Sequence, residues 1–125
     1  MNLLGVDHVQ ITIPVGTEAE AREFYCTFLG LVEIEKPDAL KNRGGFWLDC
    51  GNLPVHVGVE NEVDRSLSKA HVAYLVADLD AWRERLTDRG ITSHDGIQIP
   101  NFRRFEFRDP FGNRVEFLER KPERL

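Results

Sequence analysis

Val6-Asp7-His8-Val9-Gln10-Ile11-Thr12-Ile13 alternates apolar and polar side chains: Val9, Ile11 and Ile13 point one way, His8, Gln10 and Thr12 the other. That is the period of a half-buried strand whose second face is polar. Pro14-Val15-Gly16 ends it, and Thr17 followed by Glu20 has the spacing of a capping box. Ala21, Phe24, Tyr25 and Phe28 then recur at helical spacing, and Gly30 supplies the stop. Short strands follow at Leu31 to Glu35, at Phe46-Trp47-Leu48 and at Val55 to Val59, with a polar connection from Lys36 to Arg43 and a turn at Gly51-Asn52.

The pattern restarts after a charged linker, Glu60 to Lys69. Ala70 to Ala77 opens a strand with His71, as His8 opens the first. Asp78 or Asp80 can cap a helix that turns Leu79, Trp82 and Leu86 inward, and Gly90 stops it. A weak strand region runs from Ile91 to Ile99. Phe105 and Phe107 alternate with Arg104 and Glu106, and Asp109-Pro110-Phe111-Gly112-Asn113 turns the chain into Val115-Glu116-Phe117. Gly112-Asn113 precedes Arg114-Val115-Glu116 much as Gly51-Asn52 precedes Pro54-Val55-His56. The chain is therefore an internal duplication of β-α-β-β-β, an α+β fold. One such unit buries too little apolar surface to be stable alone, so repeats 5–60 and 69–119 are expected to share a core in a single domain, 1–125.

Composition narrows the partners. Hydrophobic residues make up 42% and charged residues 30%, which excludes a disordered chain. Sixteen Lys and Arg against 21 Asp and Glu give a net charge of −5, which argues against a nucleic-acid surface. No apolar run is long enough for a membrane span. The N-terminus lacks a basic stretch before an apolar one, so a cytoplasmic protein is expected. Cys26 and Cys50 form neither a disulfide framework nor a CxxC motif and read as half-buried reduced thiols.

If the Val, Ile and Phe positions meet the helices, the opposite parity forms a concave face. His8, His56, His71 and Glu116 fall on that parity, on the first and last strands of the repeats. Three imidazoles and a carboxylate suit a divalent first-row metal, Zn, Ni, Mn or Fe. Gln10 and Glu106 share the parity, and Glu106 is a second base candidate unless it pairs with Arg104. Among Arg103, Arg104, Arg108 and Arg114, Arg104 is the candidate anchor for an anionic substrate group. Trp47 and Tyr74 read as core, and His94 as a surface loop residue.

Val6-Asp7-His8-Val9, Phe24-Tyr25 with Leu29-Gly30-Leu31, Ala70-His71-Val72-Ala73 and Asp109-Pro110-Phe111-Gly112-Asn113-Arg114-Val115-Glu116 together resemble the vicinal oxygen chelate superfamily, which contains glyoxalase I, fosfomycin- and bleomycin-resistance proteins and extradiol dioxygenases. The resemblance implies two βαβββ modules forming a curved mixed sheet around a cleft. It also implies metal ligands at His8, His71 and Glu116, with His56 where glyoxalase I has a glutamate. Gln10 stands where fosfomycin-resistance proteins carry Thr or Cys. The function it implies is that of a homodimeric, metal-dependent glyoxalase-like enzyme whose small substrate chelates the ion through vicinal oxygens. In that enzyme Glu116 doubles as proton acceptor, and Gln10, Glu106 and Arg104 assist. A sequestering protein of the bleomycin-resistance type and an extradiol-type dioxygenase are the alternatives.

Overall fold

The computed structural model describes residues 1–121. It has two compact units, Met1–Val63 and a second beginning at Asp64. The first contains β1 (Val9–Ile13), α1 (Glu18–Arg22), β2 (Val32–Ile34), β3 (Phe46–Asp49) and β4 (Pro54–Val59). The second contains β5 (His71–Leu75), α2 (Leu79–Asp88), β6 (His94–Asp95), β7 (Phe102–Arg108) and β8 (Arg114–Arg120). The strand orders β1-β4-β3-β2 and β5-β8-β7-β6 are the same plan used twice. In each unit the first and last strands pair in parallel and the remaining neighbours are antiparallel. The expected α+β class and both βαβββ modules are present. Among the described residues no helix is long and apolar enough to cross a membrane.

In the first unit Phe46, Leu48, Val55 and Val57 face the helix and are buried with Ala21, Phe24 and Tyr25. The helix departs from its expected capping box: the Thr17 hydroxyl donates to the Pro14 carbonyl at 2.6 Å and makes no cap bond. Thr17 sits at φ −107° and ψ 16°, and the Gly16 amide is taken by Glu18 instead. Beyond Arg22 the helix widens to π spacing over Glu23–Phe28. The connection after β2 is not featureless, since Asp38–Arg43 winds into a 3-10 helix.

In the second unit Phe117 is the centre of the core. Its ring meets Phe107 at 5.0 Å, Trp82 at 5.3 Å, Phe105 at 5.9 Å and Tyr74 at 6.2 Å. Tyr74 is buried, as expected of a core residue. Asp78, not Asp80, caps α2, accepting from the Ala81 amide at 3.0 Å. The linker Glu60 to Lys69 holds a 3-10 turn, Arg65–Leu67, with Arg65 buried. His94 is exposed and lies in the two-residue strand β6 rather than a loop, opposite Glu106.

The turn before β8 sets the register that carries Glu116. Buried Asp109 accepts from the amides of Phe111 (2.9 Å) and Asn113 (2.8 Å) and from the Asn113 side-chain nitrogen (2.9 Å). Gly112 takes φ +98°, where a side chain would be strained. Asp109→Ala strips these half-buried donors of their acceptor and is expected to cost about 2 kcal/mol, read as a lowered urea midpoint at unchanged slope.

Candidate functional site

Register fixes which side chains share the face away from each helix. In the first unit Gln10 and Trp47 both stand opposite His56. His56 is sandwiched, with Trp47 stacked at 3.8 Å (3° between planes) and His8 at 3.9 Å (17°). Trp47 is therefore not a core residue. It sits on β3 between buried Phe46 and Leu48, so its indole takes the other face and covers His56. Gln10 lies over Gly58, where a Cβ would come within 2.9 Å of its Nε2.

Burial among these rings holds the His56 imidazole below its ordinary pKa, and the neighbouring His8 charge pushes the same way, while Asp7 opposes. The His56 ring is thus kept neutral, the state a ligand requires. His8 Nδ1 is 2.9 Å from Asp7 Oδ2. A carboxylate can only accept, so this nitrogen carries a proton and the carboxylate fixes the orientation of the ring.

The second unit has an ionic face. Glu116 stands opposite Ala73 on one side and Glu106 on the other. Two carboxylates directly across a ladder repel, and an arginine on each diagonal offsets that. Arg104 Nη1 donates to Glu116 Oε1 at 3.1 Å, and Arg114 Nη2 donates to Glu106. Glu106 is thus an ion-paired carboxylate, but its partner is Arg114, not Arg104. The Arg114 Nε is buried without a partner among the described residues. Arg104 is fixed on its other side by Nε donating to the Ile97 carbonyl at 2.9 Å. Its guanidinium lies so close to Gly96 that a Cβ there would meet Nη2 at 2.9 Å.

His71 completes this group. Its Nδ1 is 2.8 Å from the Lys69 carbonyl, an obligate acceptor, so Nδ1 carries a proton. Its Nε2 faces Glu116 Oε1 at 3.2 Å. A lone pair against a carboxylate oxygen needs positive charge between them, either a second ring proton or a cation. Two ligands of one ion at ordinary bond lengths stand about 3–3.4 Å apart, so this pair fits a metal. Among the described residues no cluster of three or more His, Cys, Asp or Glu is assembled around one point. His71 and Glu116 approach each other as two ligands of one ion would, whereas the stacked, nearly parallel rings of His8 and His56 do not aim their in-plane lone pairs at a common point.

Cys26 and Cys50 are half-buried free thiols. Burial raises both pKa values, away from nucleophilic thiolates.

The family model of the Glyoxalase/Bleomycin resistance protein/Dioxygenase superfamily matches residues 5–117. The chain belongs to this superfamily. It is 45% identical to a crystal structure from Bacillus anthracis assigned to the glyoxalase family, over 97% of this chain and 98% of that one, with a TM-score of 0.87. Two more distant structures share the fold. An antibiotic binding protein from Streptomyces sp. is 18% identical over 96% of this chain and 100% of that one, with a TM-score of 0.67. A fosfomycin resistance protein from Listeria monocytogenes is 14% identical over 93% and 91%, with a TM-score of 0.73. No curated protein matches the chain.

The His56 shift makes a pH prediction. A histidine held below its unfolded value, 6.5, takes up a proton more readily in the unfolded chain. Its contribution is intact above that value and is lost as pH falls from there toward the folded value. The urea midpoint should therefore fall between about pH 7.5 and 5.5, and fall less in His56→Phe, which keeps the stacked ring.

Proposed function

We propose that this protein is a metal-dependent, glyoxalase-like enzyme acting on a small substrate with two neighbouring oxygens. Its candidate ligand residues are His8, His56, His71 and Glu116, of which His71 and Glu116 are already paired within one unit. The observation that carries this is the His71 Nε2 to Glu116 Oε1 approach of 3.2 Å, with Nδ1 already committed to Lys69. When bound, a divalent ion of Zn, Ni, Mn or Fe supplies Lewis acidity to the substrate oxygens.

The chain's own residues do the rest. The Asp7 carboxylate and the Lys69 carbonyl orient the two outer imidazoles. Arg104 orients the Glu116 carboxylate, which accepts a substrate proton. Gln10 offers a side-chain amide that lies over Gly58. Glu106 holds Arg114 in place. The same proposal makes the protein a cytoplasmic homodimer with a small-molecule substrate and no nucleic-acid or membrane partner.

The Trp47–His56–His8 stack supports a second reading, a sequestering protein of the bleomycin-resistance type that holds its ligand without chemistry. Ring cleavage by an extradiol-type dioxygenase is the remaining alternative, and it requires oxygen uptake with a catechol and Fe²⁺.

Protein purified without a polyhistidine tag should take up a full equivalent of metal and melt higher with it. His71→Ala and Glu116→Gln should each lose more than the roughly 10–100-fold in affinity that an outer-shell partner is worth. Uptake below about a tenth of an equivalent with no thermal shift would remove the metal reading. Undiminished ligand binding by His71→Ala would favour sequestration.

A further inference from the structure

The first unit carries a pocket of about 680 Å³, within the range of small-molecule sites. One wall is formed by His8, Gln10, Trp47 and His56. The connection between β2 and β3 also lines it, through Lys36 and Arg43. That connection is tied down at several points. Lys36 Nζ donates to the Gly44 carbonyl at 2.7 Å, and Lys41 pairs with Glu35 at 2.7 Å and with Asp38 at 2.9 Å. Gly45 closes it at φ +74°, so near β4 that a Cβ would stand 2.0 Å from the Val57 carbonyl oxygen.

The charges on this rim are not all spent. Four charged residues line the pocket: Asp7, Glu35, Lys36 and Arg43. Asp7 is engaged by His8 and Glu35 by Lys41. Lys36 has given one of its three N–H groups to a carbonyl. Arg43, the last residue of the 3-10 helix, is exposed and has no hydrogen-bond or ion-pair partner among the described residues. Asp7 and Glu35 still line the pocket beside the two bases, so a ligand with one negative charge meets less repulsion there than a doubly charged phosphate. A guanidinium matches the two oxygens of a carboxylate.

We propose that the ligand of this site carries a single carboxylate, and that Arg43, with Lys36 as second donor, binds it. The inference rests on the small-molecule reading of the site given above and specifies its substrate class. The carboxylate lies at the end of the ligand remote from the oxygens that meet the histidines. Arg43 is a specificity residue, outside the ligand set. In a chain of net charge −5, an uncommitted cation at a pocket rim also offsets the general repulsion of an anionic substrate.

The probes are protocatechuate, with vicinal oxygens at one end of a flat ring and a carboxylate at the other, and 3,4-dihydroxybenzamide, its neutral counterpart. Both are titrated calorimetrically into untagged protein, once with Zn²⁺ and once with EDTA. Protocatechuate should bind about tenfold tighter than the amide. Arg43→Ala should bring the two within about twofold by weakening only the acid, and Arg43→Lys should restore part of the difference. Melting temperature should change little in Arg43→Ala, since that exposed side chain has no hydrogen bond or ion pair to lose among the described residues.

A ratio near one in the wild type, a ratio that survives Arg43→Ala, or no measurable binding of protocatechuate in either arm would each overturn the inference. The metal reading fails separately. In that case Zn²⁺ makes no difference to either probe, while the acid-to-amide ratio in EDTA still reports on Arg43.

Discussion

Parallel pairing of the first and last strands within each unit is the constraint on which the site depends. Antiparallel hairpins alone would leave β1 and β5 at a distance from the strands that complete their modules. The parallel ladder brings Gln10 level with His56 and Ala73 level with Glu116. The period of two then leaves Val55 and Val57, or Val115 and Phe117, for the helix side. Each ladder thus buries an apolar face and presents a chemically equipped one with the same set of backbone bonds. A slip of one residue would bury His56 or Glu116 in the hydrophobic layer, so core packing and site geometry enforce the same register.

That coupling explains why so much of the site is legible in the sequence. Alternation places His8, Gln10, His56, His71 and Glu116 on polar faces because their neighbours are strongly apolar. The duplication is readable because both copies keep the same punctuation, down to the glycine after each helix. Trp47 is not readable in this way. Phe46-Trp47-Leu48 is apolar throughout, so no polar neighbour marks its face, and only pairing with His56 reveals it. The pairing of Glu106 with Arg104 fails for a related reason. Same-strand parity puts them side by side, but the diagonal partners depend on the β7–β8 register, which the sequence does not display. The β2–β3 connection hides its 3-10 helix and its free arginine because short polar segments have no hydrophobic period to read.

Polar satisfaction decides the chemistry more than residue identity does. Imidazoles next to carboxylates are common in proteins, and many are ordinary hydrogen-bonded pairs. Here the Lys69 carbonyl consumes the one ring donor of neutral His71, so the Glu116 oxygen cannot be satisfied by that ring without added positive charge. Arg104 supplies part of it, held between the Ile97 carbonyl and a glycine that leaves room for its guanidinium. A supporting arrangement this specific costs backbone freedom at Gly96, and a surface ion pair would not require it.

Trp47 and Glu106 occupy corresponding places, one opposite His56 and the other opposite Glu116. A single backbone plan therefore presents a stacked aromatic floor in one copy and a lattice of alternating charge in the other. After a duplication, the scaffold's inheritance and the reactivity's inheritance can part company: either half can drift toward new selectivity while its twin conserves the older task. Such a molecule evolves by editing one tile at a time, without redrawing the mosaic.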